Sequence, residues 1–587
     1  MARFLDSPSA PVTFAQRVPR DNAVVTTTAY IGTCVLAIAA PFELSRPLVD
    51  LPLQSVSSVE AVSLAGFGTW LLSIAWSRTW PSWRTPLTRP WLVLLAAMSI
   101  SAVSAPTGRV NALHMTGRLT FGLAVLLLTV SAGSTPGRIR RVMTAVFLSG
   151  LTVATLAILE YLQVGVVLQG LRAFRPDVSV VGAQVRAGGT LQYPTIASMY
   201  LEIVFAFGLG ILLAGLDGRR VASVAATFLG LAAIAEAVTL TFTRAGLVTM
   251  ATSLLLVGGT RYRQRGADGG VRLVAALAVM ILVLFATSQS TQSLWLRLTS
   301  EGQEAWYRFA VDAPAELTLG TGALETVPVR ATNSGRVAWD SRADPPFYLS
   351  YHWLQADADR VVIFEGSRTS FTAPVSPGTT VPVQAQVRAP ILPGHYRLMW
   401  DVVQENRLWF STEPGAATAA FSRVTVSGPP AEEAVATSPL PLLAVRPGRL
   451  LLWRAAARMF AAHPILGVGP DNFRLLYGPY AGLVNADARI HSNNMYIEMA
   501  VGGGLLGGVG FLWLVWRAAG RCAAAVTVAA ASERSWAIGI AAAGLAVLIH
   551  GFVDSFLSFT PIYIVISITL GLAVACTSGA ETLRVAG

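Results

Sequence analysis

Apolar residues along this chain fill whole stretches instead of alternating or recurring once per helical turn. A run of roughly 20 such residues crosses a bilayer as a helix, because hydrocarbon offers the backbone no other partners. Twelve segments read this way: 24–41, 56–76, 90–105, 112–133, 142–168, 192–215, 221–241, 245–259, 271–289, 498–516, 535–554 and 561–577. The third and eighth are short, and suit a tilted, paired or re-entrant helix. The pattern changes between the ninth and tenth. Over 305–428 apolar and polar positions alternate in short runs such as "ALETVPVRAT", "PFYLSYHWL" and "GHYRLMWDVV", cut by "NSGR", "SPGTT" and "LPGH". Seven or eight strands at that spacing predict an immunoglobulin-like β-sandwich.

A Pro/Ala/Ser-rich linker ends at Pro447, a favourable first-turn residue, and a helix is predicted over 448–462. Arg449, Trp453, Ala456 and Phe460 share one of its faces, which suits a helix lying along the outer membrane surface. The expected organisation is therefore an amino-terminal tail (1–23), nine spans (24–289), an insertion with its sandwich (290–446), a helical loop (447–497) and three last spans (498–587).

Composition agrees with the spans. Of 587 residues, 53% are hydrophobic and 13% charged, about half the charge of an ordinary soluble domain; a soluble enzyme is excluded for the whole chain. The net charge of +11 comes from 43 basic residues, all arginine. The lack of lysine excludes Schiff-base chemistry and a phosphate-cradling P-loop. The arginines set a topology instead of announcing a nucleic-acid partner, which is not expected. With the amino terminus in the cytoplasm, the inside holds Arg3, Arg17, Arg20, Arg78, Arg84, Arg89, Arg138, Arg140, Arg141, Arg219, Arg220, Arg261, Arg263, Arg265, Arg272, Arg517, Arg521 and Arg534. The outer loops hold fewer, and 290–497 falls outside. That charge pattern favours keeping the first segment as an uncleaved helix over a cleaved signal peptide. Cys34, Cys522 and Cys576 make no disulfide or zinc spacing.

The informative residues are polar ones in apolar surroundings: Arg118, Glu160, Glu202, Glu236, Arg244, His550 and Asp554, several near the outer ends of their spans. Such groups face a bundle interior or a polar cavity. Arg244, in "LTFTRAGLVT", can present a planar fork to a phosphate or pair with Glu236. Arg186 precedes a Gly pair that permits close backbone approach to a ligand, and it can equally be a loop arginine. His491 opens "HSNNMYIEMAVGGGLLGG", where Asn493 or Asn494 can cap the helix. Its imidazole can take a proton from a hydroxyl or be a capping residue. His550 and Asp554, four apart, suit one helical face, binding substrate or satisfying each other. His463 reads as part of a rigid turn. The six histidines lack metal-binding spacing, Asp357-Ala358-Asp359 and Asp487-Ala488-Arg489 read as solvated loops, and no metal or cofactor is expected. Trp339, Tyr348, Tyr351, Trp353, Trp400 and Trp409 either fill the sandwich core or stack on sugars.

Taken in order, "GRLLLWRAAARMFAAHPILGVGPDNFRLLY", "HSNNMYIEMAVGGGLLGG" and "LIHGFVDSFLSFTP" resemble the O-antigen ligase and polymerase superfamily of bacterial envelope glycosyltransferases. Upstream, "RAGGTLQYPTIASMYL" and "TFTRAGL" resemble its Gly-Thr…Asn-Pro and Ser-Arg-Gly segments, with Tyr193, Thr243 and Ala245 as departures. The resemblance covers 24–289 and 447–577 and leaves the sandwich out. It implies an all-α polytopic membrane bundle of about 12 transmembrane helices, GT-C-like, interrupted by the β-sandwich. It implies transfer of a glycan from a polyprenyl-diphosphate carrier to a lipid, glycan or protein acceptor at the outer leaflet of a bacterial inner membrane. The family reaction is inverting and metal-independent, and its essential groups map onto Arg244, Arg449 and His491. Arg186, Trp453, Asn493, Arg118, His550 and Asp554 are the expected substrate-binding residues. A polymerase of lipid-linked polysaccharide shares these motifs. A transporter or flippase also suits intramembrane charge, although no internal repeat is visible.

Overall fold

A computed structural model describes residues 23–585, apart from 52–53, 82, 176–179, 182–183, 288–305, 344–345, 357–360, 406–407, 413–419, 430–447 and 482–487. The tail, the linker, Asp357, Asp359 and Asp487 thus lie outside the described residues. Every predicted apolar run falls on a helix. These are α1 (Ala23–Ala39), α2 (Ser58–Ser77), α3 (Thr88–Ser104), α4 (Arg109–Ala132) and α5 (Pro136–Tyr161), then, after a short α6 (Gly165–Leu171), α7 (Pro194–Asp217), α8 (Val221–Leu240), α9 (Arg244–Arg265) and α10 (Gly269–Thr287). After the insertion come α11 (Arg449–Ala462), α12 (Phe473–Ala481), α13 (Met495–Val528), α14 (Arg534–His550) and α15 (Thr560–Val585). Eight of them (α2, α4, α5, α7, α8, α10, α13 and α15) are long and apolar enough to cross a membrane, while α1, α3 and α14 are shorter and apolar. The chain is a multi-pass, mostly helical membrane protein.

Local signals set the helix starts. Ser57 and Glu60 form a reciprocal capping box on α2, Thr135 caps α5 ahead of Pro136, and Pro194 opens α7. The whole apolar length of α7 is buried, so this helix is the centre of the bundle. Three expectations need correction. The eighth segment is not short, because α9 continues past its apolar run. Arg261 is buried there and held by Asp217 and Asp268, both at 2.7 Å. The tenth is longer than expected and is broken at Gly504 (φ 60°, ψ −156°). The fifth ends at Tyr161, and α6 follows as a separate turn.

Side-chain contacts define the two ends of the bundle. At one end Arg261, Asp217 and Ser535 join α9, α7 and α14, and Arg140 pairs with Glu533. At the other, the start of α7 meets the end of α14, and the start of α13 meets the turn after it.

The insertion folds as a two-sheet sandwich-like unit of its own. One sheet holds Glu316–Gly320, Phe347–Gln355, Val361–Ile363, Thr369–Ser370, Gly394–Gln404, Leu408–Trp409 and Phe421–Ser427, with the last strand parallel to the first; the other holds Phe309–Asp312, Leu324–Asn333 and Thr380–Arg388. Trp339, Tyr351, Trp353 and Trp400 are at most 2% exposed and Trp409 is 9% exposed. Five of the six aromatic residues considered for sugar stacking are therefore core; Tyr348 is half-buried.

Helix α11 forms where predicted, but it buries Leu452, Ala455, Ala456 and Met459 against Phe473, Tyr477 and Val501. The expected stripe through Arg449, Trp453 and Phe460 is displaced, because the observed face buries no charge and leaves Arg449 exposed.

Candidate functional site

The segment after α11 explains the glycines of the sequence. Gly467 (φ 71°) and Gly469 (φ 98°) carry the Pro464–Phe473 turn against α13. Val468 and Gly469 donate their amides to the carbonyls of Val501 and Gly502 at 3.1 and 2.9 Å, and Leu505 donates to Pro464 at 2.8 Å. A methyl group on Gly504 would meet the Ile465 carbonyl carbon at 2.4 Å. The glycine run thus breaks α13 so that this turn can pair with its backbone, a closer approach than helix packing requires.

His491 sits just ahead of α13. Asn494, not Asn493, caps the helix, accepting from Tyr496 and Ile497 at 3.0 Å each, while Asn493 takes the left-handed conformation (φ 52°) that turns the chain. That turn brings the His491 ring back over the first helical turn. Its Nδ1 lies 3.2 Å from Glu498 Oε1 and 3.8 Å from Asp471 Oδ1. The second Glu498 oxygen accepts from the Ser492 amide at 2.9 Å. Burial works against a charged ring, but the hydrogen bond and charge of Glu498, aided by Asp471, outweigh it and hold the His491 imidazole above its ordinary value. With Nδ1–H directed at Glu498, Nε2 is the nitrogen left to accept a proton. Neither carboxylate was singled out from the sequence.

Asp471, His491 and Glu498 also form a group able to ligate a metal, with ligand atoms within 4.8 Å of one another. Asp471 already accepts from Arg474 Nε at 2.9 Å and from Asn111 at 3.1 Å, so a guanidinium stands beside the cluster as its counter-charge.

The remaining candidates gather around the same end. Trp453 donates its indole N–H to the Ser492 carbonyl at 3.0 Å, tying α11 to the residue next to His491. One turn earlier on that helix is Arg449, exposed and within electrostatic range of His550. His550 is the last residue of α14. Its Nδ1 faces the Glu202 carboxylate at 2.9 Å, and Ser198 donates to the same carboxylate at 2.6 Å. Asp554 lies beyond the helix end, in the turn after Gly551, so the expected shared helical face with His550 is not formed. The His491 loop is fixed to this turn, since Asn494 Nδ2 donates to Phe552 and the Met495 amide to Gly551.

Arg244 opens α9 with its side chain exposed. Two residues on, a methyl group at Gly246 would approach Ser198 Oγ to 2.4 Å and Glu202 Oε1 to 3.2 Å, so the start of α9 abuts the carboxylate that holds His550. Arg186 is buried, and its Nε donates to the Thr241 carbonyl at 2.9 Å. It thereby anchors the Thr241–Thr243 loop, which turns through Phe242 (φ 52°) into Arg244. The Gly188–Gly189 amides are occupied within the chain. Both donate to Glu160 Oε2, at 3.0 and 2.9 Å, and Glu160 pairs with buried Arg175. Arg118 lines a polar cleft together with Phe559, whose ring centroid is 6.3 Å from that of His491.

Comparison with known proteins bears on this end of the molecule. No curated protein matches the chain. Among solved structures, the Pseudomonas fluorescens alkylpurine DNA glycosylase AlkC bound to DNA containing an abasic site analog aligns at 8% identity, over 58% of this chain and 98% of that one; its TM-score of 0.13 carries no argument. Residues 441–512 match the family model described as O-Antigen ligase. That match spans α11, the glycine-bound turn, His491 and Glu498, and it makes this segment similar to the O-antigen ligase family.

Proposed function

We propose that the protein transfers a glycan from a polyprenyl-diphosphate carrier to an acceptor hydroxyl, at the outer face of a bacterial inner membrane, with inversion and without a metal. The observation that carries this reading is the His491–Glu498 pair, set beside a bundle end that also bears Arg244 and Arg449. In the reaction, the acceptor hydroxyl gives its proton to His491 Nε2 as its oxygen bonds to the anomeric carbon. The bond from that carbon to the diphosphate oxygen breaks, and polyprenyl diphosphate leaves with the electron pair. Glu498 steadies the imidazolium so formed. Arg244 and Arg449 offer planar donors to the departing diphosphate, and donors fixed in advance are worth about 2.7–4 kcal/mol each in such a role. The carrier is already activated, so no nucleotide is called for, in keeping with a chain that contains no lysine. Arg186 and Trp453 serve here as positioning residues.

The test is incubation of the purified protein with a defined lipid-linked oligosaccharide and candidate acceptors, read by mass spectrometry. Glycan joined to a lipid core or protein identifies a ligase. Carrier-linked chains of doubled length identify the polymerase. Normal carrier flipping with transfer lost in His491→Ala or Arg449→Ala supports the enzyme; loss of flipping in the same variants supports the transporter and sinks the proposal. Transfer that survives chelation, and that added divalent ions do not raise, is expected.

A further inference from the structure

The polar cleft that Phe559 borders lies outside the His491–Glu498 pair. It is bordered by Glu43, Glu60, Arg118, Gln192, Ser558 and Phe559. Its lining contrasts with that of another cavity, of about 430 Å³, which is walled almost wholly by apolar side chains. The parts come from five separate segments and are held in place. Glu60 is locked by the α2 capping box, in which one of its oxygens accepts from the Ser57 amide at 2.9 Å. Its other oxygen makes no hydrogen bond among the described residues. The loop that carries Gln192 is pinned where Thr190 donates to the Pro41 carbonyl at 2.5 Å. Ser558 has a buried hydroxyl with no hydrogen-bond partner among the described residues. Buried hydroxyls are normally satisfied, so an orphan in a polar cleft marks a missing partner. Arg118 closes no ion pair with either carboxylate among the described residues, although it acts on Glu43 electrostatically.

We propose that this cleft is a sugar subsite, which takes the hydroxyl groups of one uncharged sugar ring against the Phe559 wall. Carboxylates that accept, a guanidinium and an amide that donate, a hydroxyl that does both and an apolar face together complement a pyranose, whose hydroxyls both donate and accept. A diphosphate does not suit the same place, because two carboxylates face one guanidinium. Burial pushes the Glu43 carboxyl up, against the lowering influence of the Ser57 and Thr560 hydroxyls. Phe559, which borders the cleft, also lies near the His491 ring, at 6.3 Å between centroids, and makes an edge-to-face contact with the Tyr193 ring at 5.8 Å. A ring in the cleft would lie next to the candidate base. The inference deepens the transferase reading and rests on it for the identity of the sugar, which is either the first residue of the donor glycan or the accepting residue of the acceptor.

Two readouts on the purified full-length protein keep the ideas apart. The first needs no turnover: thermal unfolding in detergent with a panel of neutral methyl glycosides, and separately with glycan-free polyprenyl diphosphate. At least one glycoside should stabilise the wild type. The same glycoside should bind about tenfold or more weakly to Glu43→Gln and Arg118→Gln, which lose charged hydrogen bonds, and a few-fold more weakly to Ser558→Ala, whose fold loses no bond. The response to polyprenyl diphosphate should be unchanged in all three. The second readout is steady-state transfer. A raised KM for donor alone assigns the cleft to the donor sugar, and a raised KM for acceptor alone assigns it to the acceptor. Glycoside binding without transfer by the wild type overturns the transferase reading and keeps the subsite. If no glycoside stabilises the wild type, or the variants respond as it does, the subsite is refuted.

Discussion

At the scale of single residues, the proposed chemistry turns on what Glu498 does to His491. The imidazole must be neutral to act, and its held-up pKa means that transfer should rise with pH through a value above the ordinary 6.5. Glu498→Gln keeps an oxygen for Nδ1–H and removes the charge. The rising limb should then move to lower pH. The plateau rate should fall by roughly tenfold to a hundredfold, because the imidazolium formed during transfer loses a charged partner worth about 1.5–3 kcal/mol. A pH–rate profile of the two proteins checks both; an unmoved limb would show that Glu498 does no more than cap. His491→Ala should cost on the order of 10²–10⁴ in rate. Arg449→Lys should recover only part of what Arg449→Ala loses, since an ammonium lacks the planar fork. Arg244 could be singled out because charge is rare in such surroundings, whereas the set of Arg244, Arg449 and His491 comes from the resemblance of the motifs that carry them. Glu498 could not, because it reads as a polar residue in the first turn of a span. Its partnership with His491 depends on the left-handed turn at Asn493, for which the sequence carries no unambiguous sign.

Among the elements, the break in α13 matters most. Hydropathy located this span and missed the break, because a glycine run has the same apolar score whether it packs helices or leaves the helix. The φ and ψ of Gly504 lie in a region open essentially to glycine alone. Gly504→Ala should therefore cost about 1–3 kcal/mol and drive the Pro464–Phe473 turn away from α13, loosening the loop that holds Asp471 near His491. Lower thermal stability in detergent and slower transfer are expected together. Gly508→Ala is the control, because a methyl group there meets only Ala500, at 3.5 Å. It should leave both quantities unchanged or raise stability slightly, as alanine is the better helix former. Loss of stability in both variants alike would mean that the conformation at Gly504 is not what the fold depends on. The α9 extension has a similar origin. Its last turns are too charged to score as a span, and they persist because Asp217 and Asp268 meet Arg261, a pairing between distant segments that no local window contains.

For the whole molecule, the open question is whether the sandwich takes part in transfer. Its core of Trp339, Trp353, Trp400 and Phe410 shares no residue with the core of the helical bundle, and its strands pair only with one another. A unit with its own core can fold alone. A fragment of residues 306–429 should thus fold by itself, with a β-type circular dichroism spectrum and a cooperative melt. A chain that replaces the same residues with a flexible linker should keep the helical bundle and its melting behaviour. Because five of the six aromatic side chains considered for sugar stacking are spent on the sandwich interior, the isolated fragment should not bind glycans. If the sandwich is a spacer, the shortened chain should transfer to small and full-sized acceptors at the rates of the intact protein. If it docks the acceptor, KM should rise for the full-sized acceptor and stay level for a small one. Loss of transfer to every acceptor from a normally folded bundle would mean that the sandwich completes the catalytic end of the molecule, and the division into two independent units would be wrong.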